Sequence, residues 1–171
     1  MDTDPETSGA ARRPRGAAFI FGRLFDAHEA AGRSLMFWLE PVFALAVRVW
    51  MGRIFFDSGF NRFLNWSKQP ELFENIHPVP FLPPKLAAIV ATAGELILPV
   101  LLVLGLFSRV PAIGMLIMAA VIEFIAARTP QGVENGISNP QHILWMLLLA
   151  YLFIRGGGPL SIDGLIERQR G

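Results

Sequence analysis

The 171-residue chain contains no cysteine. Without a thiol it cannot exchange disulfides, bind an iron–sulfur cluster through thiolates or form a structural disulfide. The small helical membrane enzymes that couple disulfide formation to quinone reduction are therefore excluded. Charged residues are also scarce, at 17% of the chain, and the net charge is only +1. We expect no nucleic-acid partner, because such partners require a strongly basic surface.

Hydrophobic residues make up 53% of the chain. Soluble domains are richer in charge and poorer in apolar residues than this chain. The apolar residues are clustered in blocks, and a helix of about 20 such residues crosses a bilayer. The composition predicts an all-α integral membrane protein: a four-helix transmembrane bundle with an extra amphipathic, interfacial helix at the N-terminus.

The chain divides into three predicted parts. Residues 1–16 are polar, charged and without period, which is typical of a disordered basic tail. Residues 17–39 carry a helical apolar stripe and are predicted to lie as an amphipathic helix in the membrane interface. Residues 40–166 form the predicted membrane domain. Its four crossings are expected at about 41–64, 87–107, 110–127 and 140–155.

Two of the predicted crossings begin with a recognisable start signal. Glu40-Pro41 suits the beginning of the first crossing, since proline is tolerated in the first turn of a helix. Asn139-Pro140 is typical of an N-cap followed by the first helical residue. Between the first two crossings lies a proline-rich connection of about twenty residues, Asn65 to Pro84, and a loop of this length is often functional.

The first crossing carries four charged side chains in an otherwise apolar helix. Arg53 and Asp57 are four residues apart and are predicted to form an ion pair on one face. Arg48 and Arg62 fall on another face, together with two glycines that allow a second helix to come close, Gly52 and Gly59. The second and third crossings each contain a single acid, Glu95 and Glu123.

These buried charges have two interpretations. In the first, Arg48, Glu95 and Glu123 line one polar site for a quinone or another amphiphile, with the arginine bonding a carbonyl and an acid handling a proton. In the second, which we favour slightly, the charges form a structural ion-pair network that holds the helices in register.

Other kinds of site find little support. The histidines do not offer two axial haem ligands on facing crossings, and Glu123, Glu134 and His142 lack a diagnostic metal-binding spacing. No nucleophile–base–orienter set and no phosphate-binding loop occurs. We therefore predict no catalytic residue, no metal and no cofactor, although a quinone remains possible.

Lysine and arginine are distributed unevenly between the two predicted sides of the membrane. One side, holding both termini and the turn at residues 108–109, has nine basic residues: Arg12, Arg13, Arg15, Arg23, Arg33, Arg109, Arg155, Arg168 and Arg170. The other side has four: Arg62, Lys68, Lys85 and Arg128. Because cytoplasmic loops are enriched in these residues, we predict a multi-pass protein of the cytoplasmic (inner) membrane with both termini in the cytoplasm.

Three motifs in order resemble the DoxX family of small four-helix membrane proteins. The first crossing has Arg48, Gly52, Phe55, Gly59 and Arg62 in an R…G..F…G..K-like pattern, with arginine in place of the usual lysine. The second has an acid, Glu95, and a closing Gly105-Leu106…Arg109 turn. The tail has Gly158-Pro159 followed by Ser161-Ile162-Asp163. The resemblance covers Pro41 to Ile166. One departure is Pro99, which stands where a glycine is common.

The resemblance implies a fold and a range of roles. Some DoxX-like proteins are subunits of membrane oxidoreductases, including a subunit of thiosulfate:quinone oxidoreductase, and others resemble membrane partners of soluble redox enzymes. We expect a subunit or anchor, non-catalytic by itself, that contacts the lipid bilayer and serves a soluble or membrane redox partner. The alternatives are a quinone-binding oxidoreductase subunit and a carrier of a small amphiphile.

Overall fold

The computed structural model describes residues 16–79 and 81–170, and side chains from residue 20 onward. Regular secondary structure in these residues is entirely helical, which confirms the all-α class. The predicted tail at residues 1–16 lies outside the described residues, except for Gly16. The described residues form seven α-helices: α1 (Gly16–Leu64), α2 (Gln69–Asn75), α3 (Pro84–Leu104), α4 (Arg109–Phe124), α5 (Pro130–Glu134), α6 (Pro140–Arg155) and α7 (Ile162–Arg170).

The first helix is longer than the sequence indicates. We expected a helix start at Glu40-Pro41, but α1 runs without interruption for 49 residues, with Pro41 inside it. That expectation was wrong. A proline inside a helix removes one backbone hydrogen bond, and this loss is tolerated where neighbouring groups satisfy the freed backbone. The chain nevertheless divides into two compact units between Leu39 and Glu40.

The described part of the first unit is the helical segment from residue 16 to residue 39. Its large apolar side chains are exposed, including Phe21, Leu24, Phe25, Leu35 and Trp38. Glu29 and Arg33 lie one turn apart and form an ion pair of 3.7 Å. The interfacial placement of this helix stays a prediction.

Three described helical segments are long and apolar enough to cross a membrane: Ile20–Leu64, Pro84–Leu104 and Arg109–Arg128. The fourth apolar helix, α6, has 16 residues. At about 1.5 Å per residue it extends about 24 Å, less than the roughly 30 Å of a hydrocarbon core. The fourth crossing therefore remains a prediction.

The second unit, residues 40–171, contains the main hydrophobic core. Its fully buried side chains come from four helices and include Met51, Leu102, Met115, Leu149 and Leu152. Helix α4 packs against both α3 and α6. A smaller cluster forms where α2 packs on α3 around Phe73, Ala87 and Ala88. The proline-rich connection is thus folded against the bundle.

Two helix ends in this unit are determined by their capping residues. The C-cap of α3 is Gly105, whose φ of 68° favours glycine because glycine has no Cβ. The N-cap of α6 is Asn139, whose side chain accepts a hydrogen bond of 2.9 Å from the Gln141 amide, and Pro140 is the first residue of the helix. The predicted N-cap and first helical residue of this helix are confirmed.

The glycines of α1 mark its close approach to α3. A methyl group at Gly52 would collide with the side chain of Val103. At Gly59, an added Cβ would lie 2.7 Å from the Cβ and 2.9 Å from the carbonyl carbon of Glu95. Because the second neighbour is backbone, it cannot yield without moving α3. Gly59 therefore sets the spacing of the two helices where Glu95 enters the core.

We predict that Gly59→Ala destabilises the protein by about 1–3 kcal/mol, the usual cost of overpacking a close contact. Thermal unfolding in mild detergent checks this. The matched control is Gly32→Ala in the same helix, where an added Cβ meets nothing within 4 Å. There alanine should be neutral or stabilising by up to about 1 kcal/mol. Equal midpoints for the two variants would contradict the assigned role of Gly59.

Candidate functional site

A buried ion pair joins α1 to α3. Arg62 Nε lies 2.9 Å from Glu95 Oε2, and both side chains are largely buried. Ser58 donates a hydrogen bond of 3.3 Å to the other carboxylate oxygen of Glu95. Since Ser58 and Arg62 are one helical turn apart, α1 presents both groups to the same carboxylate. The acid is thereby compensated in an apolar part of the bundle.

Arg62 also contacts an aromatic ring in the connection between α1 and α3. The guanidinium of Arg62 stacks over the Phe73 ring of α2, with 5.1 Å from its central carbon to the ring centroid. Phe73 is itself buried and its ring contacts His77. Burial, and secondarily the positive charge of Arg62, lower the pKa of His77 from 6.5 to about 4. His77 is therefore neutral at physiological pH.

Arg62, Glu95 and His77 form the polar wall of a cavity of about 320 Å³. Its other walls are apolar, and they come from α3, α4 and the loop that follows α2, with Val90, Ala91, Leu98, Ile117, Met118 and Val121 among the lining residues. The volume lies at the lower end of the range for small-molecule sites. An apolar cavity with a few convergent polar groups is the usual form of a ligand site.

Arg48 takes part in a different cluster. It is 1% exposed and donates a hydrogen bond to the carbonyl oxygen of Leu160, in the turn before α7. A side chain at Gly105 would collide with this guanidinium and with Ser161. Arg48 therefore connects α1 to the C-terminal tail where α3 ends.

Asp163 completes this C-terminal cluster. Its carboxylate accepts hydrogen bonds from the Phe107 and Ser108 amides, each 2.9 Å, and from the Ser108 hydroxyl, 2.8 Å. Burial alone would raise the pKa of Asp163, but these bonds and the charge of Arg48 lower it overall. Ser161 accepts a bond from the Gly164 amide and so caps α7. The sequence motif Ser161-Ile162-Asp163 thus fastens the tail to the start of α4.

Glu123 belongs to a third cluster, at the end of α4. Its carboxylate accepts hydrogen bonds from the Ser138 hydroxyl at 2.6 Å and from the Asn139 amide at 3.2 Å. The Nδ1 atom of His142 lies 2.9 Å from the same carboxylate. This cluster ties α4 to the beginning of α6.

The hypothesis that Arg48, Glu95 and Glu123 line one site is therefore not supported, since each contacts different partners. Helical periodicity places Arg48 and Arg62 on one face of α1 but says nothing about depth. Fourteen residues separate them, which corresponds to about 21 Å along the helix. Glu95 meets Arg62, and Arg48 is too far along the helix to join them.

The remaining residues predicted from the sequence lie in ion pairs or at helix ends outside the cavity. Arg53 Nε lies 3.6 Å from Asp57 Oδ2, and both side chains are mostly exposed. Arg109 begins α4, beside the Gly156 that ends α6. In the described residues, no group of three or more His, Asp or Glu side chains is placed to hold a metal ion.

Sequence reasoning missed the role of His77 and Phe73 in the cavity wall. The available signal was the long connection between the first two predicted crossings, because loops of this length are often functional. No periodicity extends through the five prolines of this connection, so an individual loop side chain could not be placed against α3 from the sequence alone.

The fold and the cavity together define a small all-α membrane protein with a ligand-sized, mostly apolar cavity in its helical bundle. The family model for DoxX matches residues 43–128, half of the chain. The chain therefore belongs to the DoxX family, as the motifs indicated. An uncharacterized protein of Haemophilus influenzae is 31% identical over 130 residues, which covers 72% of this chain and 83% of the relative. No solved structure matches.

We predict that Arg48→Ala lowers stability by about 2 kcal/mol, because it removes a charged hydrogen-bond donor from the C-terminal cluster and leaves Leu160 without that donor. The control is Arg53→Ala on the same helix, whose side chain is 81% exposed. Its loss should cost less than about 1 kcal/mol. Folded yield and thermal midpoint in detergent are the measurements. Wild-type stability in Arg48→Ala would remove the assigned structural role.

The pKa of His77 predicts a pH dependence of stability. Between pH 6.5 and about 4 the unfolded chain binds a proton at this residue while the folded chain does not. Folding therefore loses stability as the pH falls through this interval, and the loss levels off below it. The thermal midpoint of the wild type should fall more steeply with acidification than that of His77→Gln.

The control for this measurement is His28→Gln, which removes an exposed histidine of the first unit. Its midpoint should follow the wild-type pH profile. Parallel profiles for the wild type and His77→Gln would mean that His77 is not held neutral by its surroundings.

Proposed function

We propose that this DoxX-family protein is a membrane subunit, without catalytic chemistry of its own, that holds a lipophilic small molecule for a redox partner. The observation that carries the proposal is the Arg62–Glu95 ion pair in the wall of an otherwise apolar cavity of about 320 Å³. Ionisable groups inside a membrane bundle are expensive, and they commonly mark sites where ligands or ions bind.

The walls of the cavity suit a molecule that arrives from the lipid. Val90 of α3 and Ile117 of α4 both line the cavity, and they are 53% and 54% exposed. In a membrane protein, such exposed apolar side chains face the acyl chains. A lipophilic molecule would then enter between α3 and α4 without passing through water.

The redox assignment extends the expectation from the family resemblance, and the proposed orientation rests on the basic residues of the sequence. We place the protein in the inner membrane with four crossings and both termini in the cytoplasm. In this orientation the loop with Phe73 and His77 lies on the opposite, external side. The ligand site would then be close to the outer face of the membrane.

A cavity-filling substitution tests the proposal. Ala91 lines the cavity and Ala93, two residues later in α3, is exposed and does not. We predict that protein purified from its native membrane in mild detergent carries a lipophilic ligand, detected by native mass spectrometry. Ala91→Phe should lose most of this ligand, whereas Ala93→Phe should retain it.

Two results would count against the proposal. Wild-type protein that carries only bulk phospholipid would remove its main support, and equal ligand occupancy in the two variants would place the ligand elsewhere. Co-purification of a stoichiometric protein would identify the redox partner. Uptake of the ligand by vesicles that contain this chain alone would instead indicate a carrier.

A further inference from the structure

The ionisable groups that face the cavity balance one another. Arg62 and Glu95 form an ion pair, and His77 is the third titratable residue in the lining. With His77 neutral, the formal charge of the cavity wall is zero. A charged ligand would therefore meet no net opposite charge on the wall, and its own charge would have to leave water for an apolar cavity at high cost.

Three buried polar atoms on this wall lack a hydrogen-bond partner among the described residues. They are Arg62 Nη1, His77 Nδ1 and Glu95 Oε2, and the last of these is already paired with the charge of Arg62. A buried polar group without a hydrogen-bond partner is unfavourable. A ligand that forms the missing hydrogen bond removes this cost and thereby binds more tightly. The arginine nitrogen can only donate, so the complementary ligand atom must be an acceptor, such as a carbonyl oxygen.

The same two residues face a second pocket. Arg62 and His77 also line a polar pocket on the loop side, together with Ser58, Asn61, Asn65 and Gln69. Arg62 and His77 thus form a partition between the lipophilic cavity and this polar pocket. A molecule in the cavity would have its apolar part towards α3 and α4 and its polar part at this partition. The cavity lining along α3 runs from Ala87 to Leu98, which is about 16 Å at about 1.5 Å per residue.

We infer that the bound molecule has an uncharged head with hydrogen-bond-accepting oxygens, which Arg62 and His77 hold at the partition between the lipophilic cavity and the polar pocket. The inference rests on the proposed function and adds the chemical class of the ligand. Lipid-soluble carbonyl compounds such as quinones belong to this class, and fatty acids, which are anionic near neutral pH, do not. Glu95 holds Arg62 in place and keeps the wall neutral.

A comparison of two probes tests the inference. The full chain is reconstituted in nanodiscs of phosphatidylcholine and titrated at pH 7.5 with a decyl-substituted benzoquinone and with decanoate. Both probes carry an alkyl chain of about ten carbon atoms, and they differ in the charge of the head group. We expect the quinone to bind at least about tenfold more tightly, a difference of about 1.4 kcal/mol.

Variants of His77 then locate the head. His77→Phe keeps an aromatic side chain but removes the hydrogen-bonding nitrogen, and it should weaken quinone binding about tenfold, as expected for one lost hydrogen bond. His77→Gln retains a donor and an acceptor and should recover most of the affinity. His28→Phe makes the same change outside the cavity and should leave binding unchanged. Thermal midpoints at pH 7.5 establish that each variant is folded.

The outcomes separate the inference from the proposed function. If neither probe binds to the wild type, and no ligand co-purifies, the proposed function fails. If decanoate binds more tightly than the quinone, the cavity holds an amphiphile but the inference of a neutral head is overturned. If the quinone binds equally to the wild type and folded His77→Phe, the head does not lie at His77 and the assignment is wrong.

Discussion

The ion pair between Arg62 and Glu95 is the interaction on which the second unit depends. A carboxylate in an apolar bundle is costly, and here it is compensated by a guanidinium at 2.9 Å and a serine hydroxyl on the same helix. The pair requires close approach of α1 and α3, which Gly59 permits. Removing one partner would leave the other charge buried, at a cost of about 3–5 kcal/mol. The geometry of the cavity is fixed by the same contact.

The family motif has two different roles in this chain. Arg48, Gly105, Ser161 and Asp163 meet where the C-terminal tail joins the bundle, and the hydrogen bonds they form join the tail to α1 and to the start of α4. These bonds serve assembly, although Arg48 Nε and Nη1 are buried without a partner among the described residues. Gly59 and Arg62 belong instead to the helix crossing beside the cavity. A match to the motif as a whole therefore indicates the fold more strongly than any ligand.

Local sequence patterns predicted local structure well and tertiary contacts poorly. The all-α class and the start of α6 at Asn139-Pro140 follow from hydrophobic blocks and capping chemistry, which depend on neighbouring residues. The break expected at Pro41 does not occur, because a single proline does not decide the course of a long apolar helix. The hypothesis of one site lined by Arg48, Glu95 and Glu123 rested on helical periodicity, which reports the face of a helix and leaves the depth of the facing residue open, and the three side chains have different partners. The contact of His77 with the bundle depends on the folding of an aperiodic loop.

The cavity divides its physical roles between the bundle and the loop. Helices α3 and α4 provide apolar walls that favour lipophilic molecules in general and cannot distinguish one polar head from another. Glu95, the one acid from these helices that faces the cavity, is already engaged by Arg62. Besides Glu95 Oε2, the hydrogen-bonding atoms left without a partner on this wall are Arg62 Nη1, at the end of α1, and His77 Nδ1, in the connection after α2. A rigid scaffold that carries a functional loop is a common arrangement for specific binding. In the function proposed above, selectivity for the polar head is therefore to be sought in Arg62 and in His77 of the connection, whereas the apolar walls of α3 and α4 favour lipophilic molecules in general.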